Sequence, residues 1–179
     1  FGKVQDERVK KEMVKDFVNI VDLPPNSNVY EIGCGAGGFL YAIQLIIEIN
    51  CFGIDYSKNL IDIAKRVIPE GQFLKDEAIN MHSYGKEFDL IFSHSVFQYF
   101  SSTEYAYEVL IKATSMLKVG GTLCLLDVND KSKEENYHFE RSREYSSVEE
   151  YKKDYEGLNH LFFDKYELKK YISAIGFED

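Results

Sequence analysis

One ten-residue stretch limits the folds open to this chain more than any other. Val29-Tyr30-Glu31-Ile32 runs directly into Gly33-Cys34-Gly35-Ala36-Gly37-Gly38, and Phe39 to Ile49 follows as a nearly all-apolar helical segment. Apolar and aromatic residues before the glycines read as a short strand, the glycines supply the left-handed backbone of a tight turn, and a helix that is apolar all round has to be buried. Strand, glycine turn and buried helix are half of a βαβ unit, and such units build parallel sheets because parallel neighbours need a crossover connection.

The rest of the chain repeats that rhythm. Cys51 to Ile54 reads as the next strand, with Asp55 at its carboxyl end and Ser57 as the N-cap of a helix through Ile68. Gln72-Phe73-Leu74 and Phe88 to Phe92 read as strands three and four, separated by the polar segment Asp76 to Tyr84. Ser101 to Glu104 has capping-box spacing for a helix running to Leu117, and Gly120-Gly121 turns the chain into a strand from Thr122 to Asp127. Upstream, Val9, Met13, Phe17 and Ile20 recur at helical spacing within Gln5 to Val21, and Pro24-Pro25 ends that helix. The expected fold is α/β: a doubly wound, mostly parallel sheet with helices on both faces, formed by one domain over residues 1–179. Its ligands belong beyond the carboxyl ends of the strands, at the switch point.

Residues 130–160 break the rhythm with mixed charge and aromatics and are expected to form an inserted, partly helical cap. Asp164 and Glu167 then mark a helix start, and Gly176 its end. Phe177-Glu178-Asp179 reads as a strand just beginning, so the C-terminal strands of the sheet are expected to be incomplete.

A net charge of -9, from 21 basic and 30 acidic residues, opposes binding to a polyphosphate, so a nucleic-acid partner is not expected. The longest apolar helical run is about a dozen residues, well short of the ~20 needed to cross a bilayer, and no membrane partner is expected either. Three scattered cysteines (Cys34, Cys51 and Cys124) make neither a disulfide framework nor a metal site, which fits a reducing, cytoplasmic setting without a metal.

The glycine turn admits two ligands. Gly33, Gly35 and Gly38 satisfy G-x-G-x-x-G with Asp55 about 20 residues on, the dinucleotide fingerprint. Gly33, Gly35 and Gly37 equally satisfy E-x-G-x-G-x-G, with Glu31 in front. A pyrophosphate favours bare backbone N–H groups at a helix N-terminus, whereas a ligand carrying an ammonium and a sulfonium gains from a nearby carboxylate. Glu31 therefore favours S-adenosylmethionine (SAM).

The stretch Val29 to Gly38 resembles the first motif of the class I, Rossmann-like SAM-dependent methyltransferases of small molecules. Phe52-Gly53-Ile54-Asp55-Tyr56-Ser57 is similar to the second motif, Asp76-Glu77-Ala78 to the acidic turn after strand three, Phe88 to Ser93 to the fourth, and Leu117 to Leu123 to the K-P-G-G-x-L signature, with Val119 in place of proline. The resemblance covers residues 29–127. It implies that Gly33, Gly35 and Gly37 let the backbone approach the methionine moiety and that Glu31 assists its ammonium end. By the same resemblance Asp55 accepts from both ribose hydroxyls, Tyr56 lines the adenine edge, Asp76 or Glu77 receives the adenine amino group, and Ser93 with His94 lines the floor beneath the sulfonium.

Methyl transfer from a sulfonium is an in-line displacement that needs no enzymic nucleophile, only alignment, exclusion of water and, for a hydroxyl acceptor, a base. His94 is the best-placed base, while Tyr99, His138 and His160 are weaker candidates. Tyr99, His138, Arg141 and Arg143 are the candidate substrate residues, the two arginines because guanidinium groups match a carboxylate or phosphate bidentately. The alternative for the arginines is a surface pair balancing Glu140 and Glu144. The expected activity is methyl transfer from SAM to the oxygen or nitrogen of a small molecule, leaving S-adenosylhomocysteine (SAH). A nicotinamide-dependent oxidoreductase and a non-catalytic SAM-binding partner module are the two alternatives.

Overall fold

The computed structural model describes residues 12–155 and 160–177. Five parallel strands, β1 (Ser27–Ile32), β2 (Ile49–Asp55), β3 (Gln72–Lys75), β4 (Phe88–His94) and β5 (Leu117–Leu126), form one sheet in the order β3-β2-β1-β4-β5. The chain therefore starts in the middle, winds outward through β2 and β3, and returns to the other side of β1 for β4 and β5. The reversal lies between β1 and β4, where Ile32 pairs with Ser93, and a crevice opens there at the carboxyl ends.

The strands alternate as a doubly covered sheet requires. Val29, Cys51, Leu90 and Phe92 point into a core shared with the helix over residues 12–20 (α1), with α2 (Gly38–Gln44) and with α3 (Lys58–Val67). Val14, Phe17 and Val18 of α1, Leu40 and Ile43 of α2, and Ile61 and Ala64 of α3 supply the helical side. On the opposite face the rings of Tyr30 and Phe52 both meet Phe88 edge-on at about 5 Å.

Glycine at position 53 is a packing requirement. The turn after β1 folds over β2, with Gly33 N–H and Cys34 N–H both donating to Ile54 O at 2.8 and 3.0 Å. A Cβ on Gly53 would lie 2.7 Å from Cys34 Sγ and 2.8 Å from its Cβ.

Several expected elements fall where the sequence places them. Ser57 caps α3 by accepting from Leu60 N–H, Asp164 caps α7 (Lys165–Ala174) by accepting from Tyr166 and Glu167 N–H, and Gly176 follows α7 in left-handed backbone. Helix α4 (Thr103–Thr114) is present but shifted: its cap is Ser102, whose Oγ accepts from Tyr105 N–H, rather than Ser101 opposite Glu104, and it ends at Thr114 rather than Leu117. Two further boundaries are corrected. The helix expected from Phe39 to Ile49 stops at Gln44: Ile46 and Ile47 N–H both turn back to Ile43 O, and Ile49 already pairs with Ser27. A run of apolar residues does not distinguish buried helix from buried strand. Strand β5 begins at Leu117 rather than Thr122, because the chain continues through Gly120 (φ +79°) as an irregularity between the Phe88 and Leu90 pairings. The first part of the expected helix from Gln5, and most of the strand expected from Phe177, lie outside the described residues.

The chain divides into two compact units. One comprises the described residues through His94 together with Lys112–Leu126; the other comprises Ser95–Ile111 and the described residues from Asp127 on. In the second unit the expected cap is α5 (Glu134–Ser142) and α6 (Val148–Asp154), and Ser95 Oγ–H donates to Asp127 Oδ2, both residues holding left-handed backbone.

Gly53→Ala is expected to lower stability by about 1–3 kcal/mol, the usual range for overpacking. Urea unfolding checks this, since a midpoint equal to that of the unaltered protein would mean that Cys34 does not press on β2.

Candidate active site

The turn from Gly33 to Gly37 is built by hydrogen bonds that use up its own donors. Gly33 and Cys34 N–H serve Ile54 O, Gly37 N–H donates to Cys34 O at 2.8 Å, and Gly35 N–H donates to Asp55 Oδ2 at 2.9 Å. Gly33, Gly35 and Gly37 hold φ of +71°, +51° and +78°, a region closed to most L-residues, while Gly38 is the ordinary first residue of α2 with open space where a Cβ would stand. The third glycine of the dinucleotide pattern thus has no packing or dihedral reason to be glycine. The third of the E-x-G-x-G-x-G pattern does. A turn whose N–H groups at 33, 34, 35 and 37 are committed is also a poor cradle for a pyrophosphate.

Asp55, 8% exposed at the carboxyl end of β2, joins this turn to the next. Its Oδ2 receives Gly35 N–H and its Oδ1 receives Ser57 N–H at 2.8 Å. A carboxylate accepts about four hydrogen bonds, so two acceptor positions remain for a ligand.

Glu31 is 4% exposed on β1, and its Oε2 has no hydrogen-bond partner. Burial pushes its carboxyl well above the usual range, the nearby charge of Asp55 adds to the effect, and the Leu40 backbone N–H offsets part of it. Among the described residues, Glu31 and His94 are the two ionisable side chains, other than the Cys34 thiol, in the wall of a 590 Å³ cavity otherwise lined by glycine and apolar groups, among them Met13 and Val14 of α1, Phe39 and Ala42 of α2, and Ile46 in the turn after α2. That volume lies in the usual range for a small-molecule site. His94, at the end of β4, leans on the Phe39 ring with centroids 5.2 Å apart.

The other expected cofactor residues sit differently. Ser93 is buried and its hydroxyl donates to Ile32 O at 3.1 Å, so it ties β4 to β1 and is absent from the cavity wall. Tyr56 is 73% exposed. Asp76 Oδ1 accepts from Asn80 Nδ2 and Glu77 N–H, both at 2.8 Å, and those two bonds hold its carboxyl below the usual range; Glu77 is exposed. The apolar cavity wall from α1 and α2 was not legible as a site, because Met13, Ala42 and Ile46 read as ordinary helix-face residues.

The second unit gathers the candidate substrate residues into two places. Arg141 lies over the rings of Tyr137 and Tyr155, 5.1 and 5.0 Å from their centroids, and donates to Tyr137 Oη. Tyr137 Oη is 2.7 Å from His160 Nδ1, and burial and the nearby Arg141 charge push that imidazole down. His138 Nδ1 meets Tyr151 Oη, and His138, Tyr151 and Tyr155 line an open hollow. Tyr99 is 66% exposed, with its ring edge-on to His160. Arg143 is apart from this cluster in its bonding, paired with Glu140 at 3.0 Å. The two arginines therefore do not act as one fork. The Tyr137–Arg141 contact follows i, i+4 spacing that the sequence carries, whereas the role of Tyr155 needed the fold.

A five-stranded parallel sheet with this strand order, an acidic residue closing β1 and left-handed glycines after it define a Rossmann-like cofactor-binding domain of the methyltransferase type. The methyltransferase domain family model matches residues 23–172, and the chain belongs to that family. Its cofactor is S-adenosylmethionine, and the orphaned Glu31 Oε2 together with the free capacity of Asp55 suits that cation-bearing nucleoside. The chain is similar to phosphoethanolamine N-methyltransferase 1 of Arabidopsis thaliana, 28% identical over 120 residues, which are 65% of this chain and 24% of that protein. It is likewise 28% identical over 149 residues to the phosphoethanolamine N-methyltransferase of Plasmodium falciparum, covering 78% of this chain and 56% of the relative. It thus spans about a quarter to a half of the length of these curated relatives. Its fold is shared with the magnesium protoporphyrin IX methyltransferase of Synechocystis PCC 6803 solved with bound SAM, at a TM-score of 0.65 and 15% identity, over 97% of this chain and 72% of that one.

Gly37→Ala and Gly38→Ala separate the two glycine patterns. The first is expected to cost about 1–2 kcal/mol for forcing a Cβ into left-handed backbone. The second is expected to be neutral or to stabilise by up to about 1 kcal/mol, as alanine does in a helix. Thermal unfolding of both checks this, and equal losses would contradict it.

Proposed function

We propose that this protein transfers the methyl group of SAM to a nitrogen or oxygen of a small molecule, an amine bearing a phosphate or carboxylate being the acceptor favoured. The observation that carries the donor half is the buried Glu31 carboxyl, its Oε2 without a hydrogen-bond partner, in front of a glycine turn whose N–H groups at 33, 34, 35 and 37 are already bonded. When bound, the cofactor supplies a methyl group on a sulfonium, open to in-line displacement.

The chain's own residues have the remaining tasks. Asp55 orients the ribose through its free acceptor positions, with Tyr56 beside the adenine edge and Asp76 or Glu77 taking its amino group. Glu31 faces the ammonium end, and Gly33, Gly35 and Gly37 let the methionine moiety come close. Ser93 acts beneath the sulfonium by holding the end of β4 against β1, which sets the position of His94. Apolar groups of α1 and α2 keep the cavity dry, so the displacement proceeds without competing water. His94 takes the acceptor's proton on an imidazole nitrogen, returning it to solvent after transfer.

For the acceptor, support comes from Arg141, whose guanidinium is held between two tyrosine rings and gains the rigidity an oxyanion clamp needs. The relatives named for phosphoethanolamine point the same way. Tyr99 and His138 complete this selection, and Arg143 adds positive charge. The net charge of -9 favours a small acceptor over a nucleic acid, and the three free thiols suit the cytoplasm. Among the described residues, no helix is long and apolar enough to cross a membrane.

Two measurements test the proposal. Calorimetric titration is expected to show micromolar binding of SAH and none of NADH; NADH binding without SAH binding would make the protein an oxidoreductase. In steady-state methyl transfer to phosphoethanolamine, Arg141→Ala is expected to raise the acceptor KM about 10–100-fold, the value of one charge-assisted hydrogen bond, with the SAM KM unchanged. An unchanged acceptor KM would remove Arg141 from the site.

A further inference from the structure

Among the described residues, the wall of the cavity bounded by Glu31 and His94 holds no lysine or arginine. Within it, Glu31 lacks what a buried carboxylate ordinarily has. Its Oε2 makes no hydrogen bond, the Leu40 backbone N–H is the one donor that favours its charge, only 4% of the residue meets solvent, and the like charge of Asp55 on the neighbouring strand works against ionisation. The N–H groups of the adjoining turn at positions 33, 34, 35 and 37 are bonded elsewhere. An isolated negative charge in such a place is costly, and the usual remedy is to keep the proton.

We infer that Glu31 couples cofactor binding to proton release: it carries a proton in the ligand-free protein, and the ammonium of the cofactor's amino-acid end displaces that proton into solvent as the carboxylate–ammonium pair forms. The bond broken is the Glu31 O–H, the proton passes to the buffer, and the positive charge of the ammonium replaces it in the site. This inference rests on the cofactor reading above and concerns the cation rather than the nucleoside.

The groups around Glu31 narrow the source of the proton. Asp55 of β2 receives two backbone N–H groups, one on each carboxylate oxygen. Cys34 in the turn and Cys51 of β2 are buried thiols; burial and then the Glu31 charge push Cys51 up to about 12 and Cys34 higher still, so both stay protonated throughout. His94 of β4 is the remaining titratable group in the wall among the described residues, and a substitution separates its contribution.

The sign follows from linkage. A carboxyl whose proton is favoured in the ligand-free protein and expelled in the complex makes binding tighten as pH rises, by up to about tenfold per pH unit, levelling once the ligand-free group has itself ionised. SAH carries the same amino-acid end as SAM and is the probe. 5′-Methylthioadenosine, the same thioether nucleoside without that end, is the internal control.

The experiment is calorimetry at about pH 7 in buffers of differing ionisation enthalpy, phosphate and Tris among them. For SAH, the apparent enthalpy is expected to vary with the buffer in the sense of about one proton released per molecule bound. For 5′-methylthioadenosine it is expected not to vary. Glu31→Gln is expected to abolish the buffer dependence for SAH and flatten its affinity across pH, and His94→Asn to leave both in place. SAH binding to the unaltered protein with a buffer-independent enthalpy overturns the inference while leaving the cofactor reading intact. Equal proton release by 5′-methylthioadenosine, or loss of the release in His94→Asn, also overturns it by assigning the proton to another group. Absence of SAH binding in every buffer overturns the inference and the cofactor reading together.

Discussion

The Asp55 carboxylate is the interaction on which the rest of the site depends. One side chain at the carboxyl end of β2 receives Gly35 N–H on one oxygen and Ser57 N–H on the other, joining the turn after β1 to the start of α3. Each bond is of the charge-assisted kind, among the stronger hydrogen bonds a protein makes. Around that clasp the turn can follow its left-handed path, Cys34 can sit directly on Gly53, and α2 can begin at Gly38. The same oxygens keep spare acceptor capacity of the kind a diol requires, so the carboxylate that builds the turn is also the one proposed to hold the ribose.

A second carboxyl sets the chemistry against this background. Glu31 lies one strand away from Asp55, buried in a mostly apolar cavity and without a partner for Oε2. Two acids close together in low dielectric repel a diphosphate and attract a cation, and one of them gives up its charge while no cation is present. The electrostatics of this crevice therefore distinguish between ligands that the glycine spacing alone admits equally.

Much of this was legible from residues in order. The strand-to-glycine junction at Ile32-Gly33, the acid at Asp55 and the caps at Ser57 and Asp164 are local signals in which the residue type and its conformation are tightly linked, and each falls where the sequence indicates. The end of α2 was not legible, since Ile46, Ile47 and Ile49 are equally suited to helix and strand until β1 is there to pair with. The cavity wall was hidden for a related reason: Met13 and Ala42 are common helix-face residues, and only the packing of α1 and α2 turns them to one hollow. Ser93 and Arg143 show the converse, residues of suitable chemistry whose bonds go to Ile32 O and Glu140. In the second unit, Arg141 was visible as a charge, but its clasp by Tyr137 and Tyr155 depends on where the chain after α6 returns.

The most direct test of this account is a crystal structure of the SAH complex. Both ribose hydroxyls are expected on Asp55, with Gly35 and Ser57 N–H still donating to that carboxylate, and the amino group within hydrogen-bond distance of Glu31 Oε2. An Asp55 side chain turned away from the ribose, or an amino group remote from Glu31, would contradict it.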